Sequence, residues 1–142
     1  MLINTDDSTQ HIGVKEDGQP LQAFIVDDSI AMVKILSRTM SDFGVSIVGS
    51  ANDGNDAIKK LGDLQNAQID LICLDITMPN KDGLTALPDI KRLKPKSKIV
   101  MVSALGDKNR VLQSMQLGAD YYIVKPFKKE TVYAVVRKLF SK

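Results

Sequence analysis

Three carboxylates and one ammonium in this chain stand directly after short apolar runs. Asp75 closes Ile69-Asp70-Leu71-Ile72-Cys73-Leu74, Asp27 and Asp28 follow Ala23-Phe24-Ile25-Val26, and Lys125 follows Tyr121-Tyr122-Ile123-Val124. Carboxylates gathered within a few ångströms raise one another's pKa unless a cation joins them, so the set calls for a hard divalent ion. Magnesium suits it, because that ion takes about six oxygens and keeps several waters, so a few carboxylate and carbonyl oxygens suffice. A metal on one side and a lysine on the other form a two-sided clamp for phosphoryl oxygens. A carboxylate can itself be the phosphoryl acceptor, giving an aspartyl phosphate, and Asp75 is the best placed for that role. An acidic residue in a loop is usually just solvated. What raises these above that is their joint position on separate strand ends of one sheet.

The elements that must position them are legible as an alternation. From Leu21 onward, apolar runs predict strands at roughly 21–26, 45–51, 69–74, 98–102 and 120–124. Between and after them, apolar residues recur at three and four, predicting helices at roughly 29–43, 54–64, 83–93, 107–117 and 128–140. Five βα units imply an α/β, doubly wound sandwich, a five-stranded parallel sheet with helices on both faces. Such a sheet places its site at the carboxyl ends of the strands, beside the point where strand order reverses. Asp27, Asp28, Asp75, Ser103 and Lys125 each follow a predicted strand directly. Ser29 is positioned to cap the first helix, whose stripe is Val33, Leu36, Met40 and Phe43, with Gly44 as its stop. Val111, Leu112 and Met115 make the fourth helix's stripe, which ends at Gly118.

The bulk composition narrows the class. A chain of 142 residues with 44% apolar and 25% charged residues is one domain's worth of ordinary globular protein. No run approaches the roughly 20 apolar residues of a membrane span, and the start lacks the basic and apolar regions of a signal peptide. A cytoplasmic location without a membrane partner is the expectation. Residues 1–20 show no sustained period and read as an extension, with Ile12 and Val14 as the residues able to dock it; residues 21–142 then form the domain. That extension carries Asp6, Asp7, Glu16 and Asp17 against Lys15, a net −3, which leaves +5 on residues 21–142. This is too weak to indicate nucleic acid. The basic run Lys91-Arg92-Leu93-Lys94-Pro95-Lys96-Ser97-Lys98 lacks interleaved aromatics and reads as a solvated rim. Cys73, the sole cysteine, reads as a small core residue rather than a catalytic thiol, and His11, the sole histidine, as solvated.

Four motifs, taken in order and spacing, resemble the response-regulator receiver domain, of the CheY-like, flavodoxin-like fold. They are Phe24-Ile25-Val26-Asp27-Asp28-Ser29, Leu74-Asp75-Ile76-Thr77-Met78-Pro79 with Asp82-Gly83, Val102-Ser103-Ala104, and Val124-Lys125-Pro126-Phe127. The resemblance spans about residues 21–140. It implies that Asp75 takes a phosphoryl group from a histidine kinase's phosphohistidine, so that the chain is a phosphoacceptor signalling protein that assists its own phosphorylation and dephosphorylation rather than an enzyme. It implies that Asp28, Asp75 and the Thr77 backbone carbonyl hold Mg²⁺, with Asp27 acting mainly through a metal-bound water. Lys125 and Ser103 would bind phosphoryl oxygens, Ser103 after moving inward, and Tyr122 would be the aromatic switch that buries its ring in response. The Lys125-Pro126 bond matches a position that is cis in the family. Thr77 and Leu105 occupy the positions that tune phosphoryl lifetime, and a bulky Leu105 is expected to lengthen it.

Only Ser141 and Lys142 follow Phe140, so output is expected through the domain's own surface, as in a stand-alone receiver. The resemblance points to the face of the fourth helix, fifth strand and fifth helix, with Lys108, Arg110, Tyr122, Lys129 and Arg137. It implies chemotaxis control through a flagellar motor switch protein, with a phosphatase as a further partner. A phosphorelay shuttle or a stress-signalling adaptor is the alternative, and so is a receiver that has lost phosphorylation. Two other classes fit less well. An aspartate-nucleophile phosphatase needs a second acid two residues after the nucleophile, where Thr77 stands. A flavodoxin-like cofactor carrier needs a phosphate loop after the first strand, where Asp27 and Asp28 would repel an anion.

Overall fold

The computed structural model describes residues 12–141. Five strands, β1 (Gln22–Val26), β2 (Ser46–Ala51), β3 (Leu71–Asp75), β4 (Lys98–Ala104) and β5 (Tyr121–Lys125), alternate with five helices. The helices are α1 (Ile30–Ser41), α2 (Gly54–Asp63), α3 (Gly83–Leu93), α4 (Lys108–Gln116) and α5 (Lys129–Phe140). All strand pairs are parallel, in the order β2-β1-β3-β4-β5. The order reverses between β1 and β3, so the two strands that precede the acidic residues are neighbours at the switch point.

Side-chain alternation along each strand splits the core in two. Phe24, Val26, Ile72, Leu74, Ile99 and Met101 pack on one face with Ala57, Leu61, Ala86, Leu87, Ile90 and Val111 from α2, α3 and α4. Ala23, Ile25, Leu71, Cys73, Val100, Val102 and Ile123 pack on the other with Leu36, Met40, Val132, Val135 and Val136 from α1 and α5. Both faces are covered, which is why the central strands are apolar at successive positions. Cys73 is a core residue of the second face, and burial pushes its thiol up to about 12.

Helix ends follow their caps. Ser29 Oγ accepts from the Met32 N–H, and Gly44 and Gly118 adopt φ of 96° and 106° after α1 and α4, where a side chain would strain the backbone. The strand ends run further than their apolar runs predict: β3, β4 and β5 include Asp75, Ser103 with Ala104, and Lys125. Ladder bonds are made by the backbone and continue past the last apolar side chain, as in the pairs Asp75 with Val102 and Ala104 with Lys125.

Two other expectations are corrected. Leu112 is 56% exposed and leaves the α4 stripe, its place inside taken by fully buried Ser114, whose hydroxyl donates to the Val111 carbonyl. The basic run at the end of α3 and in the loop beyond it is not all rim. Lys94 is buried and donates to the carbonyls of Leu64 and Ala67, and Lys91 donates to Gly118 O at 3.0 Å. These lysines bind carbonyls in the turns that follow α2 and α4. Burial holds the Lys94 ammonium below its ordinary value.

Residues 12–20 form a docked turn. Gly13 N–H donates to Phe43 O at 2.9 Å, Val14 bridges Pro20, Ile12 packs on the second core face, and Lys15 lies 3.6 Å from Asp70. His11, Asp6 and Asp7 lie outside the described residues. Among the described residues, no helix is long and apolar enough to cross a membrane.

Candidate functional site

The same alternation that builds the core aims the site. Asp27, Asp75 and Lys125 lie two residues beyond Ile25, Cys73 and Ile123, all on the α1/α5 face, so the three side chains converge at the carboxyl edge of the sheet. Asp27 and Asp75 are buried, at 3% and 5% exposure, while Asp28 is exposed. Each of the three offers an oxygen, and these oxygens all lie within 4.8 Å of one another. Lys125 Nζ lies 3.1 Å from Asp27 Oδ2 and 3.4 Å from Asp75 Oδ2. Asp27 Oδ1 accepts from the Ser29 N–H at 2.9 Å, which fixes its carboxylate.

Burial, with the charge of Asp27 added, pushes Asp75 up to about 6, against the opposing pull of Lys125. Three carboxylates face this one ammonium. An all-oxygen, triply acidic set that a single lysine leaves under-compensated fits a hard divalent cation, and magnesium is the ion of that class most at home with partial hydration.

The loop after β3 is held from several sides. Gly83, the first residue of α3, donates its N–H to Ile76 O at 2.8 Å, and a Cβ there would lie 2.1 Å from the Asp75 carbonyl oxygen. Asp82 caps α3 by accepting from the Thr85 N–H at 2.8 Å. Asn80 adopts φ of 64° and donates to Asp53 Oδ2 at 2.7 Å, tying the loop to the start of α2. The Lys125-Pro126 peptide is cis.

Ser103 and Tyr122 belong to the opposite alternation. Ser103 follows Met101 on the α4 face and is 1% exposed, and its Oγ has no hydrogen-bond partner. Tyr122 is 41% exposed. Together with Leu105, Val111, Leu112, Met115 and Val124 they line a mostly apolar groove of about 340 Å³. Leu105 stands 82% exposed at its rim.

Arg110 is the residue whose role composition and spacing did not reveal. Its expected place was the output face, with Lys108, Tyr122, Lys129 and Arg137, all four of which are exposed. Instead its guanidinium turns onto the loop after β3, donating to Thr77 Oγ1 and Asp82 Oδ2 at 3.0 Å each and reaching Ile76 O at 3.4 Å. Burial alone would raise Asp82, but the Thr85 N–H and Arg110 outweigh it and hold the carboxyl below its ordinary value. No local pattern could signal this contact, since Thr77 and Arg110 are 33 residues apart.

Comparison with known proteins matches the geometry. The family model of the response regulator receiver domain matches residues 23–137. The chain is 37% identical over 120 residues to the chemotaxis protein CheY of Treponema pallidum, covering 84% of this chain and 83% of that protein. It is 36% identical over 118 residues to CheY of Listeria monocytogenes, covering 83% and 97%. Its fold is similar to the crystal structure of the CheX-CheY-BeF3-Mg²⁺ complex from Borrelia burgdorferi, with a TM-score of 0.86 and 36% identity over 94% of this chain and 99% of the matched one.

Proposed function

The chain belongs to the response regulator receiver domain family, and from that premise we propose that it is a chemotaxis response regulator phosphorylated on Asp75 by a histidine kinase. The observation that carries this reading is the convergence of Asp27, Asp28 and Asp75 within 4.8 Å, with Lys125 beside two of them. An Asp75 carboxylate oxygen attacks the phosphorus of the phosphohistidine, the P–N bond breaks, and the imidazole leaves with a proton. Asp27, Asp28, Asp75 and the Thr77 carbonyl would hold magnesium, which when bound offsets negative charge on the phosphoryl oxygens. Lys125 binds one of those oxygens, and Ser103 a second. The unpartnered Ser103 hydroxyl supports this role, because a buried donor without a partner gains one when the phosphoryl group arrives.

Pairing Ser103 with the phosphoryl group draws β4 toward the site and opens room for the Tyr122 ring in the groove beside it. The phosphoryl group thus shifts a two-state ratio through contacts that only one state offers. The altered surface is the α4-β5-α5 face, and we assign to it a flagellar motor switch protein, with a CheX-like protein as a second partner. Residues 21–142 constitute the receiver unit and residues 1–20 its extension.

Incubation with labelled acetyl phosphate and Mg²⁺ tests the reading. Label should enter the wild type and be absent from Asp75→Ala, and label retained by that variant would move the acceptor elsewhere. Pull-down of the partner should also differ with and without beryllofluoride, and equal binding would remove the switch.

A further inference from the structure

Arg110 sits where electrostatics disfavours a cation. It is the third residue of α4, within the first turn, where the helix dipole repels positive charge. Its position is held by acceptors from another part of the chain: Thr77 Oγ1 and Asp82 Oδ2 at 3.0 Å each, and Ile76 O at 3.4 Å. Asp107, the residue before α4, contributes as well. It occupies the N-cap position without making a side-chain capping bond, and its carboxylate lies 3.7 Å from Arg110 Nη1. A planar guanidinium bound to several acceptors is a rigid clamp rather than a solvated charge.

What the clamp grips is the segment next to the acceptor. Ile76 and Thr77 are the two residues after Asp75, and the clamp takes one of the two acceptor sites of the Thr77 hydroxyl oxygen. Hydrolysis of an aspartyl phosphate requires a water to reach phosphorus: its oxygen bonds to phosphorus, the P–O bond to Asp75 breaks, and the water proton passes to the departing phosphate. A hydroxyl free to accept from that water would hold it in place, whereas one already committed to a guanidinium is less available.

We propose that Arg110 is a positioning residue that lengthens the life of the aspartyl phosphate by pinning Thr77. The inference rests on Asp75 being the phosphoacceptor and adds a third lifetime determinant to Thr77 and Leu105. It makes the Arg110 effect conditional on the Thr77 hydroxyl.

The test is a double-mutant cycle on the full chain, loaded with labelled acetyl phosphate and Mg²⁺ and then freed of donor, with decay of the label followed in time. Arg110→Gln should shorten the half-life about three- to tenfold, the effect of releasing the one hydrogen bond that commits the Thr77 hydroxyl. Arg110→Lys, which cannot span Thr77 and Asp82 together, should fall between. In a Thr77→Val background, Arg110→Gln should change nothing. Decay of Arg110→Gln at the wild-type rate, or equal acceleration in both backgrounds, would overturn the inference while leaving the acceptor role intact. Failure of the wild type to take label would overturn both. If Arg110→Gln does not fold, comparing Arg110→Lys with and without Thr77→Val reads the same coupling.

Discussion

The ammonium of Lys125 lies 3.4 Å from the carboxylate of Asp75, although β4 separates their two strands in the sheet. The reach is possible because both residues end their strands and share one face by alternation. Lys125 also donates to Asp27 Oδ2 at 3.1 Å, so a single side chain counters two buried acids. Lys125→Met should therefore do more than remove a phosphoryl ligand, since it leaves two carboxylates to repel each other. We expect the initial rate of labelled phosphate uptake at saturating Mg²⁺ to fall on the order of a hundredfold, comparable to loss of one preorganised donor. A rate within a factor of two of wild type would show that the ammonium takes no part.

Asp75 offers a pH signature in the metal-free protein. Burial, then the charge of Asp27, raise its carboxyl from 3.8 to about 6. The folded state thus binds this proton more tightly than the unfolded state, so its contribution favours folding below about pH 4 and is lost as pH rises through 6. Asp75→Asn carries no such loss. In chelator, the urea-unfolding free energy of the variant relative to wild type should shift in the variant's favour by up to about 3 kcal/mol between pH 4 and 7.5. Millimolar Mg²⁺ should shrink the gap at pH 7.5. A difference that stays flat with pH would mean that Asp75 titrates as an exposed acid does.

Ser103 separates stability from signalling. Its hydroxyl is buried without a partner, a cost of about 1–3 kcal/mol relative to an apolar group. Ser103→Ala should make the unphosphorylated protein more stable, by about 1 kcal/mol once the small void is allowed for. The same variant should lose most of the difference in partner binding that beryllofluoride produces. A lowered denaturation midpoint would indicate that the hydroxyl already has a partner at rest.

Where the chain was legible, a short period carried the information. Ile25, Cys73 and Ile123 are apolar because both sheet faces are covered, and counting two residues onward locates Asp27, Asp75 and Lys125 at one edge. Ser29 and Gly44 announced the ends of α1 in the same local way. Leu112 misled because a helical stripe is wide enough to include a flanking position, and only packing against α3 and β4 decides which residue turns in. Lys94 and Arg110 were opaque for a different reason. A long cation beside a helix end reads as solvated until the partner is known, and their acceptors, Leu64 and Ala67 for one and Thr77 and Asp82 for the other, lie about thirty residues away.

Gly83 sets two effects of opposite sign against each other. It opens α3, where alanine would be favoured over glycine by up to about 1 kcal/mol of helix propensity. No unusual backbone angle requires glycine here. The obstacle is steric: a Cβ would lie 2.1 Å from the Asp75 carbonyl oxygen and 2.9 Å from its carbonyl carbon, both backbone atoms of a central strand. Neither can swing aside as a side-chain tip would, so α3 must move outward by about an ångström, lifting Ala86, Leu87 and Ile90 from the core. The overlap should win. Gly83→Ala should cost about 2–4 kcal/mol in urea unfolding despite the better helix former. Because the atoms the new Cβ presses on belong to Asp75 itself, labelled phosphate uptake by the folded fraction should also drop. Stability at or above wild type would mean that β3 and α3 separate more easily than their packing indicates.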